Sequence, residues 1–256
     1  VLDMRYLLAL GAVFFKESKW KIKEFFDSDE DITEVMILYG ENGVEIWNSL
    51  EWNSLKNISS KAFNDSGWYV MRNNKDYCII SCGPNGQNGN GGHCHNDKLS
   101  FELCIDRKDI IVDPGTYIYT PLPEWRNKFR STVYHNTVMV DDMEQNDFYD
   151  WTLFAIKRET NCKCLDFGED DDKIWFGGEH YGYKQLSQPV VHQREIRFHK
   201  GEKKLEIIDR FRGEGKHNLE WNLILSPEFE GEIKIDSDKL QWHRERSCCS
   251  PEYGVI

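Results

Sequence analysis

Four short runs decide the fold: Trp68-Tyr-Val-Met-Arg72, Asp76-Tyr-Cys-Ile-Ile-Ser81, Leu99-Ser-Phe-Glu-Leu-Cys-Ile105 and Asp109-Ile-Ile-Val-Asp113. Each is rich in β-branched or aromatic residues and bounded by Gly, Asn, Asp or Pro, the signature of a strand. The pattern continues through Thr137–Asp141, Lys173–Gly177, Val190–Phe198, Lys204–Phe211 and His217–Leu225. Alternation is clearest in Leu205-Glu-Ile-Ile-Asp-Arg-Phe211 and Glu195-Ile-Arg-Phe198. Nine or more strands without interleaved helices predict an antiparallel sandwich, because a parallel sheet needs a crossover between each strand pair.

Ahead of this region the period changes. Asp3–Lys16, Lys19–Phe26 and Thr33–Tyr39 read as helices, the last capped by Asp31 or Ser28 and stopped by Gly40 and Gly43. The first helix is apolar on most of its circumference, through Leu2, Leu7, Leu8, Leu10, Val13, Phe14 and Phe15. Such a helix wants burial on several sides. This suggests a chain that is part of a longer protein, with an apolar surface available for self-association or for further helices.

Composition narrows the function. Among 256 residues, 32 Lys and Arg stand against 44 Asp and Glu, a formal charge of −12. That balance argues against a nucleic-acid partner, since phosphate neutralisation needs a basic face. The longest apolar run, Tyr6–Phe15, is short of the roughly 20 residues of a spanning helix. The eight cysteines show no zinc-finger spacing; an even count is compatible with disulfides, but Cys78, Cys82 and Cys104 read better as small buried thiols in strands.

Residues 83–97, Gly-Pro-Asn-Gly-Gln-Asn-Gly-Asn-Gly-Gly-His-Cys-His-Asn-Asp, form a long permissive loop that ends on His93, His95 and Asp97. Loops longer than about 12 residues inside compact domains tend to be functional or disordered, and the histidines favour function over a loose connection. Asp113 closes a strand and His135 opens the next. Two imidazoles and a carboxylate are a usual zinc set with a fourth position left over. By spacing alone, His95, Asp113 and His135 read equally well as three separate structural residues.

Four motifs, Gly92-His-Cys-His-Asn-Asp-Lys-Leu-Ser-Phe-Glu-Leu103, Val112-Asp-Pro-Gly-Thr-Tyr-Ile-Tyr119, Phe129-Arg-Ser-Thr-Val-Tyr-His-Asn-Thr-Val138 and His192-Gln-Arg-Glu-Ile196, resemble in order those of the heparinase II/III-like polysaccharide lyases. The resemblance implies a mainly β fold: a large antiparallel β-sandwich over residues 51–256, preceded in residues 1–50 by the last helices of an α/α toroid. It implies β-elimination on a uronic-acid-containing glycan, heparin-like or alginate-like, by a periplasmic or secreted protein. It assigns His95, Asp113 and His135 to a mainly structural zinc, and His93 with Tyr117 or Tyr119 to the substrate cleft. Arg130 and Asn136 become candidate substrate-binding residues, in a basic patch formed by Arg126, Lys128 and Arg130. It further implies that the main proton-transfer groups come from the toroid, so that residues 1–256 alone are catalytically silent. The competing reading is a non-catalytic carbohydrate-binding or structural sandwich.

Overall fold

The computed structural model describes residues 4–26, 32–54, 58–87, 89–157, 160–202, 204–233, 241, 243, 245, 247–250 and 253–255. The expected caps Ser28 and Asp31, the helix residue Asp3 and loop residue Asn88 lie outside them. The chain divides into two compact units, Val1–Ile58 and Ser59–Ile256.

The first unit is helical. Helix α1 spans Tyr6–Phe15 and α2 spans Thr33–Ser49. Gly40 takes φ 60°, ψ −154° and interrupts α2 where the sequence reading ended it. The backbone then re-enters a helix to Ser49, so Gly43 is helical and not a stop. The helix read at Lys19–Phe26 is reduced to a 3₁₀ turn, Ser18–Trp20, followed by a bridge between Ile22 and Asn53. Lys21 explains the difference. Its side chain is buried, and Nζ donates to the carbonyls of Trp47 (2.7 Å) and Leu50 (2.9 Å), satisfying the end of α2. Val13, Phe26, Val35 and Trp47 form the core of this unit. Among the described residues, no helix is long and apolar enough to cross a membrane.

The second unit is the antiparallel sandwich. One sheet is a five-stranded meander: β1 (Lys61–Phe63), β2 (Trp68–Asn73), β3 (Asp76–Ser81), β4 (Phe101–Ile105) and β5 (Lys108–Ile111). The other runs in the order β10-β9-β8-β7, where β7 is Lys163–Glu169, β8 Lys173–His180, β9 Val190–His199 and β10 Lys204–Gly213. A small pair joins β6 (Val138–Val140) to β11 (Leu219–Trp221). The core lies between the two large sheets, with Met71, Cys78, Ile80, Phe101 and Leu103 from one and Ile174, Phe176, Ile196 and Phe198 from the other. These are the alternate positions that period-2 geometry sends to one face. Burying such a side chain contributes about 1.5–3 kcal/mol relative to leaving it exposed.

Three features escape the sequence reading. The short edge strand β1 and the charged strand β7 carry little alternation of their own and pair because β2 and β8 offer them a register. The strand read over His217–Leu225 pairs only at Leu219–Trp221, with a separate bridge from Leu225 to Ile111. A helix, α3 (Pro123–Phe129), does intervene between strands; Pro stands at its start, Glu124 in its first turn and Arg126 and Lys128 in its last.

Candidate functional site

The long loop is not loose. His93 N–H donates to the Phe154 carbonyl (2.9 Å) and Asn96 N–H to the Arg130 carbonyl (2.9 Å). The Asn96 amide donates to Glu144 (2.8 Å) and to the Asn146 carbonyl (2.9 Å), and the Asn85 amide to the Lys157 carbonyl (3.1 Å). The loop is therefore sewn to the segment 144–157. Gly91 is needed for this approach: φ is +70°, and a Cβ there would stand 2.8 Å from both the side chain and the carbonyl of Ile156.

Loop anchoring delivers two histidines to different neighbours. His93, itself at φ +61°, packs against Tyr119 (ring centroids 5.5 Å) and Phe154 (5.1 Å). Tyr119 in turn meets Phe154 (5.3 Å) and Tyr253 (5.3 Å), with the Arg126 guanidinium 5.4 Å from its ring. Tyr117 points elsewhere, against Trp125 and Phe129 (both 5.6 Å). Of the two candidate tyrosines, Tyr119 is the one the fold brings to His93.

His95 turns to Asp113 and His135. One ligand atom from each of the three lies within 4.8 Å of the others. His135, on the residue after a 3₁₀ turn, is wholly buried, and its Nδ1 meets Asp113 Oδ2 at 2.9 Å. Asp113 Oδ1 accepts the Gly115 N–H (2.9 Å), an arrangement that the Asp-Pro-Gly turn supplies. Burial opposes a charge on both partners. For Asp113 the adjacent His135 outweighs burial and holds the carboxyl below its usual range; for His135 the same pair outweighs burial and raises its pKa. His95 behaves differently: burial first, then the neighbouring His135, push it down to about 3, so it is neutral at physiological pH. Its Nε2 accepts from Arg126 Nη1 (2.8 Å), which also donates to Thr116 Oγ1 (2.6 Å).

The residues fit a divalent cation. The donor set is convergent, and His135 Nε2 is buried without a hydrogen-bond partner, a costly state that a metal bond would relieve. Arg126 is the competing partner at His95. Sequence reading missed both Thr116 and this contact, since nothing in Gly-Thr-Tyr signals a side chain aimed at a residue 21 positions away.

Three site expectations need correction. Arg126 and Arg130 are buried in place of forming a surface patch, and only Lys128 of the trio is exposed. Arg130 donates to Asn127 (2.9 Å) and to the Ala155 carbonyl (3.0 Å), and lies 4.1 Å over Phe148. Asn136 is also fully buried. Its amide donates to the carbonyls of Phe101 and Val112 (both 2.9 Å) and its oxygen accepts the Ile224 N–H (2.6 Å). Both amide hydrogens are used to join neighbouring strands, so Asn136 has none to offer a sugar. Asp97 pairs with Lys98 (2.9 Å) in a largely buried contact, and Glu102 is pushed up to about 7 by burial and by the nearby Asp113.

The antiparallel sandwich thus carries a histidine–tyrosine contact and a convergent His-Asp-His group on its loops. Residues 56–249 match the family described as Heparinase II/III-like, C-terminal, and the chain belongs to that family. A heparin-sulfate lyase from Bacteroides stercoris is 32% identical over 96 residues, which is 35% of this chain and 14% of that protein. A heparin-sulfate lyase from Pedobacter heparinus is 27% identical over 176 residues, 65% of this chain and 24% of that protein. The chain thus matches about a quarter or less of the length of these curated relatives. Among solved structures, heparan sulfate lyase HepC from Pedobacter heparinus superposes with a TM-score of 0.57 at 20% identity, over 87% of this chain and 30% of its own. A heparinase III structure superposes with a TM-score of 0.56 at 20% identity, over 73% and 27%. At these identities the superpositions speak for the fold.

Proposed function

We propose that the protein containing this chain is a polysaccharide lyase that cuts a heparin- or heparan-sulfate-like glycan beside a uronic acid by β-elimination. The observation that carries this reading is the contact of His93 with Tyr119 on an anchored loop, in a chain whose curated relatives are named heparin-sulfate lyases. The C5 proton of a uronate is weakly acidic, and the adjacent carboxylate makes its removal harder. Catalysis needs donors that neutralise the carboxylate, a base for C5 and an acid for the departing O4. An imidazole beside a phenol supplies a donor and a proton carrier of suitable chemistry. The relatives' names favour the sulfated glycan over alginate.

His95, Asp113 and His135 hold a divalent metal on this reading, zinc by its preference for nitrogen and carboxylate donors. Such an ion would cross-link the end of the loop to β5 and to the start of β6, fixing the position from which His93 extends. The remaining proton-transfer groups belong to an N-terminal toroid, and residues 1–256 alone are silent.

The test is the parent protein with zinc on heparan sulfate, heparin and alginate, followed by the ultraviolet absorbance of the unsaturated uronate product. Absorbance should rise on heparan sulfate, and His93→Ala should lower the rate by about 10²–10⁴. Glycan binding without any absorbance would replace this reading with a carbohydrate-binding one.

A further inference from the structure

Two thiols from distant parts of the chain meet at the edge of the sandwich. Cys82 directly follows β3 and is 2% exposed; Cys162 directly precedes β7 and is half-buried. Their Sγ atoms stand 3.2 Å apart, although 80 residues separate them in sequence. Both line a cavity of about 580 Å³, together with Ala62, Tyr69, Gly83 and Cys164. Strand β3 belongs to one large sheet and β7 to the other. A bond between these sulfurs would staple the two layers.

We propose that Cys82 and Cys162 are a reversible thiol–disulfide site, oxidised by a low-molecular-weight disulfide that enters through this cavity. The sulfurs are already in contact, and a disulfide would draw them to roughly 2.05 Å. Cys162, the more accessible of the two, reacts first. Its thiolate bonds to one sulfur of the small disulfide and expels the other half as a thiolate, which takes up the proton Cys162 released. The Cys82 thiolate then attacks the Cys162 sulfur, and the second small thiol leaves with the second proton. Two protein thiols are oxidised by two electrons, and one small disulfide is reduced to two thiols. The order of events agrees with the environment: the hydrogen bond with Cys162 and burial both raise the Cys82 pKa, which disfavours it as the first nucleophile. Cys164 is the competing partner, but its thiol is engaged locally with the Asp166 carbonyl (3.4 Å).

The experiment equilibrates the full chain in glutathione buffers of graded oxidised-to-reduced ratio, traps free thiols by alkylation and maps tryptic peptides without reduction. Lys163 lies between Cys162 and Cys164, so cleavage after it separates the two. The expected product is the peptide of residues 76–98, which carries Cys78, Cys82 and Cys94, joined to the Cys162 peptide, with fragmentation placing the link at Cys82. It is two hydrogens lighter than its parts and disappears in reducing buffer. The oxidised protein should melt higher than the reduced one by roughly 5–10 °C, as a bond closing a long loop does in a domain of this size. Cys162→Ser should abolish both the linked peptide and the shift. Cys82 alkylated at every ratio, a Cys162–Cys164 pair in its place, or oxidation that stops at glutathione on Cys162 would each overturn the proposal. The peptide map uses the unaltered chain, so its outcome does not depend on whether the variant folds.

Discussion

Two histidine–aspartate groups of the sandwich are built in opposite ways. His95, Asp113 and His135 come from a loop, a turn and the residue after a 3₁₀ turn, and the group keeps one buried nitrogen unpaired. His180, His192 and Asp209 come from the paired strands β8, β9 and β10 and form a closed chain. His180 Nε2 meets His192 Nδ1 (3.1 Å), and His192 Nε2 meets Asp209 (2.7 Å). Arg194 grips the same carboxylate with two nitrogens (2.8 and 2.9 Å), and Trp221 donates to it at 2.9 Å. Burial opposes the Asp209 charge, but Arg194 and His192 outweigh it and hold the carboxyl far below its usual range. The third Arg194 nitrogen connects the two groups: Nη1 donates to the carbonyls of Leu99 (2.9 Å) and Asn136 (2.7 Å), fixing the backbone next to His135. Strands supply a saturated support, and loops set on it carry the group with a free valence.

The sharpest way to break this contrast is to remove the carboxylate of the closed group. Asp209→Asn leaves Arg194 as an uncompensated buried charge, a change that costs about 3–5 kcal/mol. Thermal melting should fall by roughly 10 °C for a domain of this size; a fall of a degree or two would mean that the strand-built network is not a support.

Acid should act next, through a second strand carboxylate. Glu179 accepts from Gln193 (2.8 Å), Arg212 (2.6 Å), Lys163 (2.9 Å) and the Tyr181 hydroxyl. Burial opposes its ionisation, but these donors win and lower its pKa from 4.5 to about 2. The unfolded chain binds this proton first as pH falls. The stabilisation is therefore complete above pH 4.5 and drains away toward pH 2. Melting curves of the unaltered chain should drop across that window, and Glu179→Gln should melt lower at pH 7 with a shallower acid slope. Identical slopes would remove Glu179 from the account.

The smallest stability effect should come from the open group. In chelator-treated protein, His95→Ala should change stability by about 1 kcal/mol or less, because the residue closes no strand. Elemental analysis after zinc loading should nevertheless fall from about one equivalent to none, with faster proteolysis in residues 83–97. A variant that keeps its zinc, or loses as much stability as Asp209→Asn, would erase the distinction between the two groups.

How much of this was legible depends on distance along the chain. The strands Trp68–Asn73, Asp76–Ser81 and Val190–His199 are visible because a strand facing a core must alternate within a few residues. The break at Gly40 is visible because one residue's backbone freedom causes it. The loop at 83–97 announced itself by glycine content, and the grouping of His95 with Asp113 and His135 followed from ordered motifs. What stayed hidden was which distant partners the remaining polar side chains would meet. Arg130 and Arg126 look like surface charges until the fold supplies Ala155, Phe148, Thr116 and His95 to receive them. Asn136 sits in a motif but spends its amide on backbone carbonyls 24 and 35 residues away. The choice between Tyr117 and Tyr119 was undecidable from their spacing, because the left-handed turn at Tyr117 and the approach of Phe154 determine which ring meets His93. The sequence determined the sandwich, the loop and the chemical types at the site, since period and composition act locally. Only the tertiary structure decided which polar groups were consumed in holding the fold and which were left over for chemistry, because that depends on partners the chain brings together only by folding.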